Sequence, residues 1–258
     1  MTSPLLALEG LRKSFGGLDV IRGLDLSVMP GERVALIGPN GAGKTTVFNL
    51  VTGVYPVTAG RILMGGEDIT ALPDWQRARH GIARSFQNIR LMPHLSAAEN
   101  VMLGQHRRTS GLADRLLPLG LLPRNRWKRE AEAAMEAAGL GRHARSLVYN
   151  LPYGVQKRLE LVRASVAGAR LLLLDEPAAG LNPTEREELL AAITALGDSG
   201  VTLLVVEHDM GFVRRLCGRV CVLNFGEKIA EGTPDEVGRH PQVIEAYLGT
   251  DAAPADAA

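Results

Sequence analysis

Gly38, Pro39, Asn40, Gly41, Ala42, Gly43, Lys44, Thr45 and Thr46 satisfy the spacing G-x-x-x-x-G-K-[ST]. Glycines at these intervals let backbone N–H groups converge on phosphate oxygens with no Cβ in the way, and the helix expected behind them adds a favourable dipole. Lys44 is then the charge for the β and γ phosphates, and Thr45 the hydroxyl for Mg²⁺. The apolar run VALIG precedes the loop as a strand, and KTTVFNLVTG follows with a short helical pattern. A glycine-rich turn with no ligand is the competing reading, and spacing and context together argue against it.

A second constellation is Asp175 and Glu176, which end the run LLLLDE. Two carboxylates at the end of a buried parallel strand stand where open α/β sheets collect ligand-binding residues. Asp175 suits a metal ion held directly or through water, and Glu176 suits polarisation of an attacking water. Taken alone, the pair could equally be surface acids capping a strand. His208 closes VTLLVVEH, another strand end, where an imidazole could reach a γ-phosphate, although a lone histidine is more often structural. Gln87 stands where the β-rich part gives way to a helical one, so a side chain on Mg²⁺ there could pass nucleotide state to the helices.

The elements that must position these groups follow from pattern. The first third alternates apolar residues with Gly and Pro and predicts several short strands. Between about residues 91 and 170, Ala- and Arg-rich segments such as NRWKREAEAAMEAAGL carry apolar residues at helical spacing, with a solvated amphipathic face. The stretch GLADRLLPLGLLPRNR, broken by Gly and Pro, predicts a loop or short helices. LLLLDE and VTLLVVEHD are continuous apolar runs of the kind buried on both faces of a parallel sheet, and PTEREELLAAITALGD between them is a helix with Pro183 near its start. Strand, helix, strand predicts an α/β core. The tail DAAPADAA has no periodicity and predicts disorder.

Composition bounds the function classes. The 258 residues are 46% hydrophobic and 22% charged, as in an ordinary globular chain. A formal net charge of +1 gives no basic field, so no nucleic-acid partner is expected. No apolar run reaches the roughly 20 residues that span a bilayer, and the N-terminus lacks the pattern of a secretory signal, so a cytosolic chain is expected. Cys217 and Cys221 lack neighbouring ligand-type residues and read as packing residues.

With these motifs in this order the chain resembles the ABC ATPase family over roughly residues 5–249. Gln87 in IARSFQNIR matches that family's Q-loop, LPYGVQ its signature motif, AAGLN its D-loop, and His208 its switch histidine. Phe15 falls where the family places an aromatic ring against adenine, although burial in a core is as credible from sequence, and Val20 joins the nucleotide-contacting set. The resemblance implies a P-loop NTPase fold with an N-terminal antiparallel β part, a mainly parallel core sheet flanked by helices, and an inserted helical subdomain at about 89–168. Residues 1–250 would form one domain. It implies ATP and Mg²⁺ as cofactors, with Thr45, Gln87 and Asp175 toward the metal and Glu176, His208, Lys44 and Gln87 toward the reaction.

The same resemblance implies a sandwich dimer, because Tyr153, Gly154 and Gln156 of the signature would contact the nucleotide on the opposite subunit. Pro152 departs from the pattern, since most relatives carry a serine there and proline offers neither hydroxyl nor N–H. Either hydrolysis is impaired, or Gly154 and the helix dipole suffice, and the second is favoured. The stretches RSFQNIRLMPHLSAAENVMLGQH, DEPAAGLNPTE and HPQVIEAYLG resemble the subgroup energising bacterial branched-chain amino acid uptake, with importers of urea and short-chain amides as the alternative. The implied partners are a second ATPase subunit, identical or paralogous, two transmembrane permeases that would dock near residues 88–105, and indirectly an extracytoplasmic substrate-binding protein. The implied location is the cytoplasmic face of the bacterial inner membrane. Soluble ABC proteins of translation or DNA maintenance fit less well, as the chain has one motif set and no heptad run. A P-loop kinase or GTPase would lack LPYGVQ.

Overall fold

The computed structural model of the chain describes residues 3–85, 89–105 and 124–251. Gln87, most of GLADRLLPLGLLPRNR and the tail from 252 onward lie outside the described residues.

The first strands are longer than their punctuation suggested. β1 (Leu6–Phe15) and β2 (Leu18–Val28) run for 10 and 11 residues and pair antiparallel. Gly16 and Gly17, with φ of 53° and 89°, make the two-residue turn between them. Gly10 and Gly23, which read as strand breaks, are instead bulges where the register shifts and pairing continues. With β4 (Ala59–Met64) and β5 (Glu67–Asp68) these strands form an antiparallel sheet of order β2-β1-β4-β5.

The second sheet combines β3 (Arg33–Ile37), β6 (Ile82–Arg84), β7 (Leu171–Asp175), β8 (Thr202–Val206), β9 (Arg219–Asn224) and β10 (Glu227–Gly232) in the order β10-β9-β3-β8-β7-β6. All neighbours are parallel except β9 and β10, which form a hairpin. Its central strands are buried on both faces, and alternate residues serve different cores. Val34, Leu36, Leu171, Leu173, Leu204 and Val206 pack toward the antiparallel sheet, together with Phe48 and Val51 of α1 (Lys44–Thr52). Ala35, Ile37, Leu172, Leu174, Leu203 and Val205 pack on the other side, against α6 (Pro183–Asp198) and α7 (Met210–Leu216). This explains why the runs are continuous rather than alternating in hydrophobicity.

Between β6 and β7 lie α3 (Ala97–Gly104), α4 (Arg124–Ala137) and α5 (Tyr153–Val166), which share a separate apolar cluster containing Val101, Ala131, Met135, Leu140 and Leu159. One face of α4 is thus buried through Ala131 and Met135, leaving its polar residues outside. Short helices α2 (Asp74–Arg79), α8 (Pro234–Gly238) and the terminal α9 (Pro241–Asp251) complete the chain. Among the described residues no helix is long and apolar enough to cross a membrane. Cys217 and Cys221 are free and buried, and burial pushes both thiols up to about 12, as suits packing residues.

Arg77 of α2 is 2% exposed, an unusual place for a guanidinium. It donates to the carbonyls of Leu50 and Val51 at the end of α1, and to Leu72 and Thr70. The last carbonyls of a helix have no partner within it, and a cation there also meets the negative end of the dipole. Replacing Arg77→Met would strand several buried carbonyls at once. Urea unfolding is expected to show a loss of roughly 3 kcal/mol, the scale of a few unsatisfied buried acceptors.

Candidate functional site

The parallel register delivers the reactive groups to one edge of the sheet. β3 ends at Ile37 and passes into the phosphate loop, β7 ends at Asp175, β8 at Val206, and β6 at Arg84. Asp175 pairs in register with Val206, so the loops that follow start side by side.

The phosphate loop borders a cavity of about 320 Å³ lined by Val20, Asn40, Gly41, Ala42, Gly43, Lys44, Thr45, Thr46 and Glu176. Gly43 caps α1 at φ 104°, so the loop turns into a helix whose first N–H groups face that cavity. Space behind the loop is closed by backbone at Gly38 and by a side chain and backbone at Gly43. A Cβ on Gly38 would lie 2.1 Å from the Leu223 carbonyl oxygen of β9, and one on Gly43 would lie 2.7 Å from Ile21. The Gly226 N–H of the β9–β10 turn donates to Ala42 O at 3.0 Å and holds the loop from below. Tyr247 of α9 adds a contact, with its phenol pushed up by burial while the Gly38 backbone hydrogen bond acts in the opposite direction.

Lys44 Nζ donates to Gly38 O at 2.6 Å and Pro39 O at 2.9 Å, both on the loop itself. Burial pulls its ammonium below the ordinary lysine range, and the charges of Glu176 and Asp175 act in the opposite direction. The two acids therefore face this lysine, but they diverge. Asp175 Oδ2 accepts from Arg84 Nη2 at 2.6 Å, with both side chains nearly buried. Glu176 lies at φ 45°, in the left-handed region that non-glycine residues rarely occupy, and its N–H donates to Val206 O at 2.9 Å. Glu176 lines the cavity, whereas Asp175 is outside its lining and turned to Arg84. Strain of this kind persists where the surrounding structure over-determines it.

Thr45 and Asp175 offer a hydroxyl and a carboxylate, hard oxygens of the type that hold Mg²⁺ with phosphate and water completing its shell. The donor set fits that ion.

The other residues singled out from sequence do not all reach the cavity. Phe15 is 40% exposed and outside the lining, its ring edge-on to Tyr55 at 5.1 Å with Lys13 Nζ 4.6 Å from its centroid. It is therefore no core residue. Val20 does line the cavity. The His208 side chain is 67% exposed, and Nδ1 stands 3.9 Å from Glu207 Oε2. Tyr153, Gly154 and Gln156 begin α5 and contribute nothing to this chain's own cavity. Pro152 is the N-cap of α5, one place before the first helical residue, and no side chain caps that end. Gln156 Nε2 donates back to Leu151 O at 2.8 Å. Gly154 abuts Glu185 of α6, where a Cβ would come within 2.8 Å.

Sequence reasoning passed over three residues. Glu207, 1% exposed, accepts from the N–H of Ala178 through Oε1 and of His208 through Oε2, joining the D-loop stretch to the β8 end. Arg84 and Asn49 join the Asp175 side of the site. Charged residues inside apolar strand ends were the available signal, since such residues are seldom buried without a partner.

A glycine loop opening a helix on a parallel sheet, with carboxylates at the end of the next strand but one along the same edge, defines a P-loop nucleotide-binding protein. Residues 21–179 match the family described as ABC transporter, and residues 227–253 match that described as branched-chain amino acid ATP-binding cassette transporter. The high-affinity branched-chain amino acid transport ATP-binding protein BraF of Pseudomonas aeruginosa is 43% identical, covering 96% of this chain and 99% of that protein. LivG of Escherichia coli, similarly described, is 44% identical with the same coverage. The solved ADP conformation of MJ1267, an ATP-binding cassette of an ABC transporter, superposes with a TM-score of 0.85 at 28% identity, covering 96% of this chain and 100% of that one. The chain belongs to the ABC transporter family, as an ATP-binding cassette.

The tightness behind Gly38 gives a test. Gly38→Ala is expected to displace the loop or β9, weakening binding of a fluorescent ATP analogue at least tenfold and costing about 2 kcal/mol by the scale of overpacking. Gly41→Ala meets open space and bears only the strain of φ 79°, on the order of 1 kcal/mol, so the two alanines should separate in one titration.

Proposed function

We propose that this chain is the ATP-hydrolysing subunit of an importer for branched-chain or other hydrophobic amino acids. One observation carries the hydrolytic part: Glu176 is turned by its positive φ into the wall of the cavity that Lys44, Thr45 and the phosphate-loop backbone enclose. A carboxylate there can accept the proton of a water aligned on the γ-phosphate. Similarity to BraF and LivG over nearly the whole chain, and the match at residues 227–253, support the cargo class.

In this reading Thr45, Asp175 and Gln87 hold Mg²⁺, which supplies charge neutralisation at the β and γ phosphates. The glycine-loop N–H groups bind the phosphates, Val20 and Phe15 flank the base, and Lys44 exchanges its loop carbonyls for phosphate oxygens. His208 contributes an imidazole to the γ-phosphate or the water, and its exposure leaves it free to move there.

The signature residues act in trans. Because Tyr153, Gly154 and Gln156 do not line their own chain's cavity, and no side chain caps the N-terminus of α5, these groups suit a phosphate on a second cassette. Two cassettes, identical or paralogous, then close around two ATP molecules and reopen when the γ-phosphate leaves. Residues 1–250 work as a single cassette with a helical part at 89–168, docked peripherally on two permease subunits at the cytoplasmic face, with a substrate-binding protein outside.

Hydrolysis by purified protein should depend on Mg²⁺ and rise more than linearly with protein concentration. Glu176→Gln should keep ATP affinity and lower turnover by about 10²- to 10⁴-fold, the usual contribution of a general base. Loss of binding together with turnover would remove that role from Glu176. In the reconstituted complex, stimulation by binding protein loaded with leucine but not urea would support the cargo class, and the reverse would overturn it.

A further inference from the structure

Arg84 ends β6, the edge strand of the parallel sheet, and its side chain is only 8% exposed. Its planar head ties β6 to two further elements, β7 and α1. Nη2 donates to Asp175 Oδ2 on β7, and Nη1 donates to Asn49 Oδ1 on α1, each at 2.6 Å. The guanidinium carbon lies 5.5 Å from the centroid of Phe48, also on α1.

Asn49 follows Thr45 by four residues, so both lie on one face of α1, a turn apart. A rigid fork that grips Asn49 and Asp175 together therefore sets the Asp175 carboxylate against the helix face bearing Thr45. Fixing Oδ2 fixes the carboxylate plane, and with it the direction of Oδ1. Lysine could not do this, because an ammonium is a point charge without the two-pronged geometry.

We propose that Arg84 is a positioning residue for the divalent cation: it holds Asp175 in register with Thr45, so that two hard oxygens are oriented before Mg²⁺ arrives with the nucleotide. This rests on the nucleotide-binding reading given above. Partners that orient a ligating carboxylate typically change metal affinity by about 10- to 100-fold when removed. A guanidinium beside Asp175 also repels the incoming cation, and the sign of the measured change decides which effect dominates.

The experiment uses the full chain and a fluorescent ATP analogue, titrated first in EDTA and then with MgCl₂ at fixed nucleotide. For Arg84→Met and Arg84→Lys, the Mg²⁺ concentration at half-maximal nucleotide retention is expected to rise tenfold or more, while affinity in EDTA stays within twofold of wild type. Arg84→Lys keeps the positive charge, so a rise in that variant assigns the effect to geometry. The proposal is overturned if half-saturation is unchanged or falls, or if affinity in EDTA drops in parallel. It is equally overturned if thermal melting shows that neither variant folds, since Arg84 would then serve the fold alone. Failure of the wild-type protein to bind the analogue under either condition would instead sink the nucleotide-site reading.

Discussion

The register of the parallel sheet is the constraint from which the site follows. Hydrogen bonding of Arg33 through Leu36 with Leu203 through Val206, and of Leu171 through Asp175 with Thr202 through Val206, brings three strand ends to one edge. A slip by one residue would exchange the two faces of each strand and send Leu172 and Leu174 into the core that holds Leu171 and Leu173. With both faces buried, neither core could accept that exchange without repacking. The glycine loop, the acid pair and the Glu207–His208 corner are thus placed by hydrophobic packing, and none needs a contact of its own to find the others.

Around that edge the backbone is packed more closely than side chains permit. Gly38 lies against the carbonyl of Leu223, and Gly226 against Val20, where a Cβ would come within 2.2 Å of the carbonyl oxygen. Glu176 accepts a left-handed backbone between the buried end of β7 and the turn at Ala179, whose N–H donates to Glu176 O at 3.1 Å. These features make a rigid cradle in which donors are aimed before a ligand is bound, which is the physical basis of electrostatic preorganisation.

Within the helical part, polar contacts tie the chain that enters it to α5. Glu160 Oε1 accepts from the Arg90 N–H at 2.8 Å and Arg163 Nη1 donates to Arg90 O at 2.7 Å, so α5 holds both backbone polar groups of that residue. Burial raises the Glu160 pKa, opposed by that backbone hydrogen bond and by neighbouring cations. The contact comes two residues after the undescribed stretch 86–88 and on the same helix that begins with Tyr153 and Gly154. An ordinary apolar seam would let this segment slide along α5, whereas a residue bonded through both its N–H and its carbonyl fixes one register.

By itself the sequence determined the local chemistry. The spacing from Gly38 to Thr45, the continuous runs before Asp175 and His208, and Pro183 at the start of a helix are dictated by backbone sterics and periodicity, which act over a few residues. The uncapped start of α5 also follows from proline at 152. Tertiary structure decided everything that depends on distant segments meeting. It turned the glycine breaks of β1 and β2 into bulges, because cross-strand pairing outweighs the local preference for a turn. It also left Phe15 half exposed against Tyr55, turned Glu176 away from Asp175, and brought Arg84 to Asp175 across 91 residues of sequence. A charge at an apolar strand end signals that some partner is needed, but which carboxylate fills that place is decided only when the fold closes over it.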